Sequence, residues 1–138
     1  DISQAAINTA CVNARNNKVK INFILSDLFS RIAPSDYDMI VSNPPYISSA
    51  EFACLQPEIY FEPRIALHAG DDGMSFYRRI IKDATAYLKK NGFLIMEMGY
   101  NHSDRTSALI EESGYFSVEE IIKDYSGIKR IMVAKKNG

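Results

Sequence analysis

Four consecutive residues, Asn43-Pro44-Pro45-Tyr46, are of types that can hold and activate a primary amine or amide, and they directly follow the apolar run Met39-Ile40-Val41. The Asn43 side chain offers a carbonyl oxygen, and the stiff Pro44-Pro45 backbone can hold a main-chain carbonyl beside it, so a planar NH2 group would find two acceptors. Tyr46 adds a flat face on which an amide or a nucleobase can stack. Pinning both hydrogens points the developing nitrogen lone pair at an electrophile, which suits in-line attack on a methyl group carried by a sulfonium. Positioning and relief of charge do the work, and the proton can leave after the methyl has moved. The same letters also suit a plain turn with the tyrosine covering a sheet edge, but the chemical reading accounts for all four residues together.

The rest of the chain must place this tetrapeptide. Ser3 is a helix N-cap candidate, and Ile7, Ala10, Cys11 and Ala14 recur at i, i+3, i+4 and i+7, which predicts a helix ending near Asn16-Asn17. Residues 21–25, rich in β-branched and aromatic side chains, read as a strand closed by Ser26-Asp27. Residues 39–41 are continuously apolar, as in a central strand covered on both faces. The two prolines after it cannot supply ladder N–H groups, so a turn begins there. Residues 47–72 contain Pro57, Pro63 and Gly70 and show no sustained periodicity, the mark of a long functional or mobile connection. A helix then opens at Asp72 or Gly73 with Tyr77, Ile81, Ala84 and Leu88 on one face, Lys89-Lys90 in its last turn and Asn91-Gly92 as its stop. Residues 93–96 read as a buried strand leading to Glu97-Met98-Gly99. Residues 103–113 read as a helix ended by Gly114, and 118–122 and 131–134 as two strands joined without a helix. The pattern predicts an α/β fold whose sheet is mostly parallel with one antiparallel member near the C-terminus. Ligands of such sheets bind beyond the carboxyl ends of the strands, which singles out Asp27, Asn43 and Glu97.

The 138 residues bound the chain to one domain, and 46% hydrophobic with 24% charged residues describes an ordinary globular protein. With 16 Lys+Arg against 17 Asp+Glu and a net charge of -1, the chain is no general polyanion binder. Cys11 and Cys54 form no framework or repeated CxxC pattern and are expected to be buried free thiols of a reducing compartment. No apolar run reaches the roughly 18–20 residues of a membrane span, so a soluble cytoplasmic protein without a membrane partner is expected. His68 and His102 lack metal-ligand spacing and Asp71-Asp72-Gly73 lacks the ligands of a calcium loop, so no metal is expected. The opening Asp1-Ile2-Ser3, a helix start without an initiator Met, reads like a sequence cut from a longer one.

Asn43-Pro44-Pro45-Tyr46 resembles the signature of S-adenosylmethionine-dependent methyltransferases that act on amides or exocyclic base amines. Phe61-Glu62-Pro63-Arg64-Ile65-Ala66-Leu67, Gly70-Asp71-Asp72-Gly73, Glu97-Met98-Gly99 and Lys123-Asp124-Tyr125-Ser126-Gly127 with Arg130 narrow the resemblance. Over essentially its whole length the chain is similar to the C-terminal part of the catalytic domain of peptide chain release factor glutamine methyltransferases, the HemK/PrmC type. That resemblance implies a Rossmann-like class I methyltransferase sheet, S-adenosyl-L-methionine as cofactor and a release factor as protein substrate, with no direct nucleic-acid partner. It implies that Asn43, Pro44, Pro45 and Tyr46 hold the glutamine amide of a Gly-Gly-Gln motif. By the same resemblance Asp1 grips the cofactor ribose, Asp27, Leu28 and Phe29 lie beside the adenine, and Asn43 also faces the cofactor. Glu62 and Arg64 would organise the substrate mouth, although Glu62 equally suits a structural ion pair.

The family's glycine-rich cofactor loop and first strand are not among these residues, and Gly70-Asp71-Asp72-Gly73, which follows no strand and carries two carboxylates, is no substitute. The chain alone is therefore expected to bind the cofactor weakly or not at all, to be inactive, and to expose a sheet edge open to self-association. His102 stands where the family usually has Gln and is expected to be surface variation rather than a base. One alternative is a DNA adenine amino-group methyltransferase, which would need a basic duplex-binding region and base flipping. Another is a non-catalytic interaction module.

Overall fold

A computed structural model describes residues 1–138, which divide into two compact units, residues 1–34 and 35–138. In the first unit the Ser3 hydroxyl accepts the Ala6 N–H at 3.3 Å and opens helix α1 (Gln4–Asn16), whose expected stripe buries Ile7 and Ala14. Cys11 on that stripe is only part-buried, and Cys54 is exposed, contrary to the burial expected of both thiols. Cys54 follows a short surface helix, where no core is available to it.

Residues 21–25 are not a strand. They carry no ladder, and Ile21 and Ile24 are exposed. A strand needs a partner along its length, whereas this segment meets Asp1 at two points, through Asp1 N to the Ile24 carbonyl and Ser26 N to the Asp1 carbonyl. It ends in a tight turn at Ser26. The Ser26 hydroxyl donates to the Leu28 carbonyl at 2.9 Å and accepts the Arg31 N–H at 3.0 Å, holding Leu28 at φ 48°.

The second unit is built on a four-stranded sheet. Strand β1 (Tyr37–Ser42) is followed by three short helical pieces, α2 (Ser49–Phe52), a 3-10 turn (Pro57–Phe61) and α3 (Arg64–Leu67). Then come α4 (Ser75–Ala84), β2 (Leu88–Glu97), α5 (Ser103–Glu112), β3 (Phe116–Lys123) and β4 (Lys129–Lys136). The sheet order is β1-β2-β4-β3, with β1 parallel to β2 and β4 antiparallel to both its neighbours. Three strands thus run one way and the last opposes them, as the helix and strand order predicts. Leu94 and Met96 of β2, paired with Ala134 and Met132 of β4, are fully buried, and with Tyr77, Ile80, Ile81, Ala84 and Ile110 of α4 and α5 they form the core.

Two expectations fail here. β1 is an edge strand rather than a central one, and Val41 is 69% exposed with Met39 half exposed. A continuous apolar run permits burial on both faces, but the position in the sheet decides it. Helix α4 also ends at Ala84, so Leu88 to Gly92 belong to β2. Tertiary partners stop it early. The Tyr87 carbonyl accepts the N–H of Tyr37, and the Lys136 ammonium from β4 donates to the carbonyls of Thr85 and Leu88 at 2.7 Å each. The Asn91-Gly92 signal serves instead as an irregularity inside the strand. Asn91 has φ 63°, and the register slips from Tyr37 opposite Leu88 to Met39 opposite Phe93.

Candidate functional site

Because β1 and β2 are parallel and Ser42 lies opposite Met96, Asn43 leaves the sheet at the same carboxyl edge as Glu97. Pro44 is buried, Asn43 is exposed and Tyr46 is part-buried, so the turn is anchored at its middle and open at its polar end. Behind it stands a tight set of side chains. A Cβ on Gly99 would lie 2.9 Å from Tyr46 Cδ2, and one on Gly73 would lie 2.6 Å from the Tyr46 carbonyl oxygen, closer than non-bonded atoms approach. Gly73 also has φ 72°, the left-handed region that glycine enters without strain.

Tyr77 is fully buried, donates from its hydroxyl to the Glu97 carbonyl at 3.1 Å and accepts the Gly99 N–H at 3.3 Å. It thereby fixes the end of β2 against α4. Burial pushes its phenol above the ordinary range. Tyr46 is raised as well, by burial first and then by the Glu97 charge and a hydrogen bond to Glu97, with Arg130 opposing and Glu62 adding a smaller push. Both rings are therefore neutral phenols at neutral pH. Arg130 in turn donates to the Met98 carbonyl at 3.3 Å and pairs with Asp124 at 3.4 Å, tying the β3–β4 turn to the same edge. Asp124 is held below the ordinary carboxylate range by the N–H groups of Ile128 and Ser126 and by Arg130.

His102 is not surface variation. It is 6% exposed, and its ring meets those of Tyr46 and Tyr77 edge to face, with centroids 6.4 and 6.0 Å away. Burial lowers its pKa, so the imidazole is neutral. Residues 70–73 form a structural turn. The Gly70 carbonyl accepts the Ser49 N–H, while the Asp72 carboxylate accepts the Met74 N–H and pairs with Arg78 and with Arg105 at 3.0 Å. The Arg78 hydrogen bond, foremost, holds the Asp72 carboxyl well below its usual range.

The connection from Ile47 to Asp72 is pinned at both ends by an isolated bridge between Ile47 and His68, with Ile47 N donating to the Leu67 carbonyl and Ala69 N to that of Ile47. Ser48 and Glu51 form a capping box on α2. Arg64 lies over the Phe52 ring at 5.1 Å, and Tyr60 and His68 meet the same ring. Glu62 is exposed and reaches Tyr46 electrostatically, whereas Arg64 is committed to Phe52.

The residues expected at the site thus fall into separate groups. Asn43, Pro44, Pro45 and Tyr46 stand together at the sheet edge with Glu97, and Glu62 adds charge. Asp1, Asp27, Leu28 and Phe29 belong to the first unit. There a carboxylate could grip a diol and two part-buried apolar side chains could flank a base, a donor set that fits a nucleoside. One Asp1 carboxylate oxygen accepts the Ser3 N–H at 2.7 Å. Sequence reasoning missed Tyr77, read as an ordinary core position, and His102. Their one sequence signal is the pair Gly73 and Gly99, each needed where a ring or a backbone crosses.

Residues 1–57 match the family described as "Methyltransferase small domain". The chain is 43% identical to a release factor glutamine methyltransferase of Fusobacterium nucleatum, over 99% of this chain and 39% of that protein. It is 37% identical to the protein of the same name from Thermodesulfovibrio yellowstonii, over 99% and 50%. The chain thus spans half or less of the length of these curated relatives. Among solved structures it resembles a methyltransferase of Pyrococcus furiosus with a TM-score of 0.68, covering all of this chain and 60% of that one at 16% identity. The two share one α/β fold.

Proposed function

We propose that this chain, a homologue of the release factor glutamine methyltransferases over nearly all of its length, is the C-terminal part of a catalytic domain. That domain methylates the glutamine side-chain amide nitrogen in the Gly-Gly-Gln motif of peptide chain release factors. The observation that carries the reading is the Asn43-Pro44-Pro45-Tyr46 turn at the carboxyl edge of β1, with Pro44 buried and the tyrosine ring backed without slack by Gly99 and His102.

In this reading the Asn43 side-chain carbonyl and the adjacent main-chain carbonyl of the proline pair accept the two amide hydrogens, and the neutral Tyr46 ring supports the amide plane. Holding both hydrogens orients the nitrogen lone pair. S-adenosyl-L-methionine supplies the activated methyl group. Asp1, Asp27, Leu28 and Phe29 of the first unit suit its adenosine part. Glu62 and Arg64 shape the mouth, Glu62 by its exposed charge and Arg64 by holding the connection on Phe52. A translation factor as substrate implies a cytoplasmic reaction. The unpaired edge of β1, with Val41 and Met39 exposed, is the surface on which another strand or a second chain would add.

The test offers methyl-labelled cofactor to the intact protein with a release factor and, separately, with adenine-containing duplex DNA. Label should enter the release factor and not the DNA. Asn43→Ala should lower turnover by at least about 100-fold while changing cofactor affinity only a few-fold. Label in the DNA alone, or wild-type turnover by Asn43→Ala, overturns the assignment.

A further inference from the structure

We infer that His102 is the positioning residue of Tyr46: its imidazole, wedged between the rings of Tyr46 and Tyr77 and enclosed by Gly73 and Gly99, sets where the Tyr46 ring stands. The role of that ring towards an amide rests on the function proposed above, whereas the positioning itself does not.

The imidazole touches every part of the turn's backing. Measured to a Cβ built on Gly99, His102 Nδ1 lies at 3.1 Å and Tyr46 Cδ2 at 2.9 Å; measured to one built on Gly73, His102 Cε1 lies at 3.0 Å and the Tyr46 carbonyl oxygen at 2.6 Å. Both glycines therefore press against the histidine and the tyrosine together. The histidine ring stands at 87° to Tyr46 and 84° to Tyr77, the edge-to-face arrangement aromatic rings favour. Tyr77 cannot yield, because its hydroxyl is bonded to both the Glu97 carbonyl and the Gly99 N–H. Displacement of the Tyr46 ring towards the core is thus blocked by His102, and displacement of His102 is blocked by Tyr77.

The polar cost of this arrangement points the same way. His102 Nδ1 is buried and has no hydrogen-bond partner among the protein atoms, so the ring is held for its shape rather than for a bond. The charged groups facing it are Glu51 of α2, Asp72 before α4 and Arg105 of α5. His102 is also the N-cap of α5, where the helix dipole disfavours a cation.

The experiment uses the intact protein with labelled tyrosine, the ring signals of Tyr46 and Tyr77 being assigned by Tyr46→Phe and Tyr77→Phe. In His102→Ala the Tyr46 signal should shift and broaden. Release factor methylation should lose about 10- to 100-fold in kcat with KM changed less than about threefold, as expected when a group is misplaced by about 1 Å. His102→Gln, which refills the space with a planar polar group, should restore most of both. An unmoved Tyr46 signal in His102→Ala, or a loss confined to KM, overturns the inference. A moved Tyr46 signal in a protein whose wild type labels no release factor upholds the positioning and removes the functional reading instead. If His102→Ala does not fold, His102→Asn carries the same two readings.

Discussion

The turn at residues 43–46 and the connection that follows it to residue 72 are neighbours in sequence and opposites in construction. The turn is backed by buried rings, a buried proline and two glycines whose α-hydrogens already fill the available space. The connection consists of helical pieces of four or five residues with no buried side chain in any of them, and Phe61 at its middle is 91% exposed. Groups that must orient a reacting atom are worth most where nothing can move. Surfaces that meet a macromolecule tolerate adjustment, and loops on a rigid scaffold supply it. The proposed function assigns these two tasks to segments within 30 residues of each other, and substitutions on either side should show the difference.

The largest effect is expected at Gly73. Alanine there meets both penalties, the left-handed φ and a methyl 2.6 Å from a backbone oxygen that cannot rotate away. The combined cost should be about 3 kcal/mol in chemical denaturation, with the Tyr46 turn displaced. Gly127 provides the control. Its φ is 80°, but a Cβ there has nothing within 4 Å, so Gly127→Ala should cost about 1 kcal/mol, the conformational part alone. Equal costs at the two positions would mean that the turn is less tightly backed than its contacts imply.

Tyr77→Phe probes the same backing more gently. It keeps the ring against His102 and deletes only the hydroxyl, leaving the Gly99 N–H without that acceptor. A loss of about 1–2 kcal/mol is expected. Exchange of the Gly99 amide should quicken more than that of the β4 amides, because the damage begins at the carboxyl edge. A variant as stable as the wild type would show that ring packing alone secures the site.

What the sequence makes legible follows the same division. The tetrapeptide, the strand before it, helix α5 and the final hairpin can be read because their signals are local, in proline backbones, β-branched runs and Gly114 at φ 70°. The end of α4 cannot be read, because a lysine of β4 captures the Thr85 and Leu88 carbonyls just beyond it from about 50 residues away and no local pattern encodes that. Residues 21–25 look like a strand by composition, yet pairing is a property of the neighbour and not of the segment. His102 is misjudged for a related reason. A polar residue after a glycine-containing strand end reads as surface, and its burial is decided by Tyr77, which stands in a separate helix 25 positions earlier.

The smallest effect belongs to the connection. Ser48 opens α2 by accepting the Glu51 N–H at 3.3 Å, while its own N–H and hydroxyl donate to Glu51 Oε2 at 2.9 and 2.6 Å. Ser48→Ala removes the hydroxyl half of this box. A cap is worth about 1 kcal/mol where its helix is coupled to the core, but α2 is four residues long and buries nothing. The global midpoint should therefore move by less than about 0.5 kcal/mol, the range of uncoupled surface changes, while amide exchange quickens across residues 49–53 alone. The pH dependence supplies an independent check. The hydrogen bonds from Ser48 lower the Glu51 pKa, so whatever the box contributes is fully present above the carboxyl's unfolded pKa and is lost as pH falls through its folded value. Wild type and Ser48→Ala should differ in exchange at neutral pH and converge in acid. A shift of the global midpoint as large as that of Gly73→Ala would make the connection part of the rigid frame, and the division of labour between it and the turn would fail.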